Sequence, residues 1–155
     1  MAGTSDIFQG PLVKRNGLFD SEPKIRHLPL ALKINLWSSV PRFYENPWRR
    51  RSIGILTLGR FSTRMELKLM VRLLGFRSGQ RVLDSGCSAG LYSRWILTTN
   101  AGGEAQAVDL SLPFLQAAKR AGTAAGHLII LPRADLETLP YRNETFDAIV
   151  WGGTP

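Results

Sequence analysis

A short apolar strand that ends in an acid, then runs straight into a glycine-containing turn and a helix, constrains this chain more than any other stretch. It reads Arg81-Val82-Leu83-Asp84-Ser85-Gly86-Cys87-Ser88-Ala89-Gly90-Leu91-Tyr92-Ser93, and the helical run continues to Thr99. Strand, turn and helix in that order form the layout of a nucleotide-type cofactor site in an α/β sheet. The acid narrows the choice. A turn built to hold pyrophosphate against a helix N-terminus is poorly served by a carboxylate at its mouth, because two anions compete for one positive end. A cofactor with positive charge and no phosphate suits the turn better.

Asp84-x-Gly86-x-Ser88-x-Gly90 resembles the first motif of the class I S-adenosylmethionine-dependent methyltransferases, Asp/Glu-x-Gly-x-Gly-x-Gly. Their cofactor carries a sulfonium and an ammonium and lacks phosphate, in accord with the acid. Three further elements follow that family in order, so the resemblance covers residues 75–153. Ala105-Gln106-Ala107-Val108-Asp109-Leu110-Ser111 reads as the second strand, with Asp109 where the family's acid takes the ribose hydroxyls. Arg133-Ala134-Asp135-Leu136-Glu137-Thr138-Leu139-Pro140 is similar to the loop that meets the adenine, and Phe146-Asp147-Ala148-Ile149-Val150-Trp151 to the fourth strand. The Leu-Pro-Tyr-x-x-x-x-Phe-Asp stretch from Leu139 to Asp147 is similar to the small-molecule, quinone-biosynthesis-like branch.

The resemblance implies a Rossmann-like, doubly wound parallel α/β sheet and S-adenosylmethionine-dependent methyl transfer to a small-molecule acceptor. It implies cofactor contacts from Asp84, Ser85, Gly86, Cys87, Ser88 and Gly90 at the methionine end. Asp109 and Leu110 fall at the ribose, Asp135 and Leu136 at the adenine, and Trp151 in the loop after the fourth strand. Two departures stand out. Ser88 replaces the middle glycine, and its hydroxymethyl narrows the approach of the cofactor to the turn, although a residue with negative φ would still fit there. The family sheet has seven strands, whereas the sequence stops at Pro155, just past the fourth. The expectation is an incomplete sheet of about four strands whose last strand is an uncovered apolar edge, unless a partner chain pairs with it. A truncated, catalytically inactive cofactor-binding or interaction module is therefore the alternative.

Methyl transfer from a sulfonium needs alignment and exclusion of water, and a base only where the acceptor must lose a proton. No catalytic residue is assigned. His27, His127 and Cys87 form no metal constellation, so no metal is expected. Cys87, the single cysteine, allows no internal disulfide and suits a reducing, cytoplasmic compartment. No apolar run approaches the ~18 residues that span a bilayer, and Met1 to Asp6 lack the pattern of a leader. A nicotinamide-dependent dehydrogenase is disfavoured by Asp84 and by the missing Gly-x-Gly-x-x-Gly spacing.

Charge divides the chain. Residues 1–75 hold 13 Lys/Arg against 5 Asp/Glu, and residues 76–155 hold 7 of each. The expected division is a basic, partly irregular N-terminal arm over 1–61 and the N-terminal part of a methyltransferase domain over 62–155. Residues 1–40 read as an extended arm with one short helix. The aromatics and arginines of Arg42 to Arg51 could stack on nucleic acid, but anchoring of the arm through a buried Trp48 is the favoured reading. Residues 63–74 predict a helix: Thr63 and Glu66 have capping-box spacing, and Gly75 is placed to end it. Met65, Leu69 and Leu73, joined by Met70 and Leu74, form its expected apolar face, with Arg64, Lys68 and Arg72 outside. A second helix is expected over Leu112 to Ala121, capped by Ser111, and a third strand over Leu128 to Leu131.

Overall fold

Leu83 at the middle of strand β3 (Arg81–Ser85) has no exposed surface, and Val82 to Ser85 are all buried. An apolar strand covered on both faces belongs in the middle of a parallel sheet. The computed structural model, which describes residues 7–10, 12–15, 18–21, 33–34, 36–46, 48, 63–99, 103–127 and 129–152, puts it there. Strand β4 (Glu104–Val108) pairs parallel on one side and β6 (Ala148–Val150) on the other. Helices α3 (Leu91–Thr99) and α4 (Leu112–Ala124) connect the strands. The arrangement is a partial Rossmann-like α/β fold.

The third strand is shifted from its expected place. Leu128 lies outside the described residues, and the strand is β5 (Pro132–Arg133). Ile130, just before β5, and Arg133, within it, bridge in parallel to Gln106 of β4 and to Asp109 just past its end. The other side of β5 pairs with a segment that reads in sequence as part of the extended arm. β1 (Val13–Arg15) and β2 (Leu18–Asp20) form an antiparallel hairpin, and β2 runs parallel to β5. Asp20 is paired with Arg133 at 3.4 Å, and the Ser21 hydroxyl donates to the Arg133 carbonyl at 2.9 Å.

Each face of the sheet is covered differently. Val82, Ala105, Ala107 and Val150 pack against Ile96 of α3 and against Leu115 and Ala118 of α4. Leu83 and Val108, on the opposite face, pack against Ile7, Phe8 and Tyr141. Phe8 bridges Tyr141 by backbone and stacks on its ring at 5.2 Å. The stretch read as an extended arm thus supplies core residues. Strand β6 is the other edge: Ile149, in register with Leu83, is exposed, as expected of an unpaired apolar strand.

Helix α1 (Val40–Glu45) begins at the end of the stretch in which one short helix is expected, and Val40 packs on Ala89, Phe114 and Ala117. Trp48 corrects the anchoring expectation, since it is 76% exposed. Helix α2 (Thr63–Leu74) has the expected bounds, and Gly75, at φ +54°, donates to the Val71 carbonyl to close it. Its buried side differs from expectation. Met70 and Leu74 join the core, whereas Met65, Leu69 and Leu73 are exposed, Leu73 by 75%. Apolar residues occupy more than half the helix circumference, and only the arc facing Val82 and Val150 can be covered. Among the described residues no helix is long and apolar enough to cross a membrane.

Gln106, in the middle of β4, is fully buried, and neither its Nε2 nor its Oε1 has a hydrogen-bond partner among the described residues. An orphaned amide loses hydration without compensation. Gln106→Met, which keeps the length and removes both polar atoms, is expected to raise the unfolding free energy by about 1–2 kcal/mol. The urea midpoint would report this, and a midpoint that fell would place a compensating partner on that amide.

Candidate functional site

The parallel register sets Asp84 level with Ala107 and Val150, so the loops after β3, β4 and β6 open at one end of the sheet. Ligands of open α/β sheets bind at that carboxyl end. The turn after β3 is built from alternating left-handed residues, with Gly86, Ser88 and Gly90 at φ of +70°, +48° and +73°. Ser88 thus does not take the negative φ that would let a side chain fit without strain. Serine occupies a conformation that favours glycine and costs roughly 1–2 kcal/mol for a residue with a Cβ. Cross-strand bonds enforce it: the Gly86 and Cys87 amides donate to the Val108 carbonyl at 2.9 and 3.0 Å, and the Ser88 amide donates to Asp109 Oδ2 at 2.9 Å.

Gly90 has two constraints. A Cβ there would lie 2.9 Å from the Ala118 Cβ, so α4 approaches the turn as closely as atoms allow. Gly90 also precedes Leu91, the first residue of α3, and has no side chain to cap it. Asp84 supplies the cap from the strand. Its Oδ2 accepts the Ser93 N–H at 2.9 Å and the Ser93 hydroxyl as well. A carboxylate at a helix N-terminus also meets the positive end of the helix dipole. Arg94, the next residue, braces the turn by donating from Nη1 to the Ala89 carbonyl at 2.7 Å.

Asp84 is fully buried, and its Oδ1 has no partner among the described residues. Burial pushes its pKa up to about 6, although both Ser93 bonds pull it down. Asp109 sits half-buried just past β4, with Oδ1 accepting the Ser111 N–H at 2.8 Å. Burial raises its pKa too, against the amides of Ser111, Ser88 and Leu110. Cys87 is buried, and burial followed by the two acids holds its thiol neutral.

The remaining expected residues stand around this centre. Ser85 is buried at the end of β3, and the Leu110 carbonyl accepts from Arg133 Nε at 3.1 Å. Asp135 forms a local turn by accepting the Glu137 N–H at 3.1 Å, while Leu136 packs on the Leu83 cluster. Trp151 follows β6 and is 68% exposed. Direct bonds join the Asp84 turn to Asp109; Asp135 and Trp151 occupy the same end, after β5 and β6.

Sequence reasoning missed Ser93 and the wall beside it. Tyr92 donates its hydroxyl to Glu66 Oε1 at 2.6 Å, and a Cβ on Gly152 would fall 2.1 Å from the Tyr92 ring. First turn of α2, start of α3 and loop after β6 meet there. The signal for Ser93 was available: a helix that opens after glycine must find its cap elsewhere.

A strand ending in a buried acid, a left-handed turn and a second acid at the next strand end define a class I S-adenosylmethionine-dependent methyltransferase fold. The methyltransferase-domain family model matches residues 82–154. The malonyl-[acyl-carrier protein] O-methyltransferase of Pseudescherichia vulneris is 40% identical over 88 residues, 57% of this chain and 32% of the relative. The chain thus spans about a third of the length of the curated relatives it matches. Among solved structures, TrmN from Thermus thermophilus is 31% identical over 55% of this chain and 26% of its own, with a TM-score of 0.51. A coclaurine N-methyltransferase bound to N-methylheliamine and SAH shares the fold at a TM-score of 0.52, with 24% identity over 56% of this chain and 26% of its own.

S-adenosylmethionine is the cofactor of this class, and the residues present fit it. The orphaned Oδ1 of Asp84 places uncompensated acceptor capacity under the turn, suited to a cationic group. Asp109 Oδ2 accepts the Ser88 amide and Oδ1 the Ser111 amide, and the carboxylate's four lone-pair sites exceed the three amides it takes, which leaves capacity for a hydroxyl.

Two stability predictions follow from the turn. Ser88→Gly relieves the left-handed serine and should add up to about 1 kcal/mol, whereas Gly90→Ala should cost about 2–4 kcal/mol through strain and the Ala118 clash. Chemical denaturation of both variants checks this, and equal effects would mean the turn relaxes. The second concerns Asp84. A carboxyl whose folded pKa is raised holds its proton more tightly when native, so its contribution is full below the unfolded value of 3.8 and lost as pH rises through about 6. Asp84→Asn should therefore gain stability over wild type on going from pH 4 to pH 7, by a few kcal/mol at most. A wild-type-minus-variant difference that stays flat would contradict it.

Proposed function

We propose that the protein catalyses S-adenosylmethionine-dependent methyl transfer to a small-molecule acceptor, with the cofactor held at the Asp84–Gly90 turn. The observation that carries this reading is the Ser88–Asp109 bond, which ties the left-handed turn to the second acid across two parallel strands. In this reading Asp84 counters the positive methionine end from beneath the turn, with backbone at Gly86 and Ser88 above it. Asp109 takes the ribose hydroxyls, Asp135 and the Leu136 backbone meet the adenine, and Trp151 lies beside cofactor and acceptor.

The cofactor supplies an electrophilic methyl group on a sulfonium. The chain's own work is to bind, align and exclude water. The names of the curated relatives add an acceptor class to the reading, a carboxyl group presented on a carrier protein. Functionally, residues 62–155 carry the cofactor half, and the hairpin of β1 and β2 extends its sheet beyond β5. A further strand, from a partner chain, would cover β6. A cytoplasmic location accords with the lone, buried, neutral Cys87.

Calorimetric titration of S-adenosylmethionine into the chain tests the reading. Saturable binding is expected, and Asp109→Ala should weaken it by ~1–3 kcal/mol, the cost of stranding charge-assisted hydrogen bonds. Absence of binding to a folded wild type, or an unchanged affinity in the variant, would refute the assignment.

A further inference from the structure

Asp84 and Ser93 are both fully buried, and the contact between them is one-sided. The Ser93 N–H and hydroxyl converge on Oδ2, and Oδ1 is left without a partner among the described residues. Capping a helix needs only one acceptor and one backbone donor. The second donor on the capped oxygen and the idle oxygen beside it are surplus to that job. Three other titratable or charged groups face Asp84. Asp109, at the end of β4, opposes its ionisation, and Arg94, along α3, favours it, both less strongly than the Ser93 bonds. Cys87, in the turn, is held as a neutral thiol.

We propose that Ser93 is a positioning residue for the cofactor site: by donating twice to one oxygen of Asp84 it keeps the carboxylate ionised beneath the turn and leaves the other oxygen to counter a cationic ligand. The inference rests on reading the turn as a S-adenosylmethionine site. Burial alone favours the neutral acid, which offers no field to a sulfonium or ammonium. Donors to the charged form restore ionisation near neutrality, where Asp84 titrates at about 6. A cation bound above the turn favours the ionised form further, so binding is linked to loss of a proton and affinity should rise with pH through that midpoint.

Two measurements on the full chain separate this inference from the function beneath it. Without cofactor, the Asp84 carboxyl carbon should titrate near pH 6 by NMR. Ser93→Ala should move that midpoint up by about one unit, and Ser93→Thr, which retains the hydroxyl, should leave it in place. In calorimetric titrations with S-adenosylmethionine, Ser93→Ala should bind about tenfold more weakly below the wild-type midpoint, the equivalent of one unit. That deficit should close by about pH 8, with Ser93→Thr following wild type throughout. A deficit equal at every pH would mean that Ser93 only holds the helix, and would overturn the proposal. So would a midpoint that Ser93→Ala fails to move. If Ser93→Ala does not fold, the wild-type profile decides, because affinity independent of pH across the Asp84 midpoint overturns the proton linkage. A wild type that binds no cofactor while Asp84 titrates as stated removes the function itself, and the positioning role with it. Binding with no shift removes the inference alone.

Discussion

The hydrogen bonds from Ser93 to Asp84 hold the end of β3 to the start of α3, and the rest of the domain is arranged around that join. Burying an ionisable carboxyl is costly, and the raised pKa of Asp84 expresses that cost. The return is local geometry. Gly90 must stay small beneath Ala118, so it cannot cap its own helix, and Asp84 from the strand accepts the Ser93 amide instead. Replacing the acid by an apolar residue would leave the helix opening unsatisfied. Close approach of α4 and a buried carboxylate are thus two sides of one constraint.

The same turn carries strain at Ser88, whose left-handed backbone is held by the Asp109 carboxylate rather than by its own preference. A single acid therefore serves two tasks. It fixes the turn through one oxygen and the approach to α4 through the other, which accepts the Ser111 amide. Because these bonds are made to backbone, the turn keeps its shape before any ligand arrives. Such preorganisation lowers the ordering cost of binding.

The parts legible in the sequence are those decided within a few residues. The bounds of α2 and α3, the Ser111 cap of α4 and the acid-to-turn layout after β3 follow from period, glycine and capping chemistry. The parts that were not legible depend on remote neighbours. Three-residue strands such as β1 and β2 carry too little alternation to announce themselves, and their partner lies more than a hundred residues away. On α2 the pattern marked apolar positions correctly, but which arc is buried depends on where β3 and β6 lie. Ser88 was read by its side chain, whereas its φ is set by bonds from β4. The acids at the strand ends were read from a motif, while Ser93, the third residue of α3, meets Asp84 only in the folded chain.

The pairing of Phe8 with Tyr141 has a consequence for how the molecule comes into being. One face of Leu83 and Val108 is closed by residues from opposite ends of the described chain. During synthesis β3 and β4 can pair as soon as both have emerged, yet that face stays uncovered until Tyr141 follows. The early hairpin waits equally for Arg133. Contacts so distant in sequence slow folding and lengthen the life of partly covered intermediates. Residues 7–20 can thus settle only after partners more than a hundred residues further along the chain have been made.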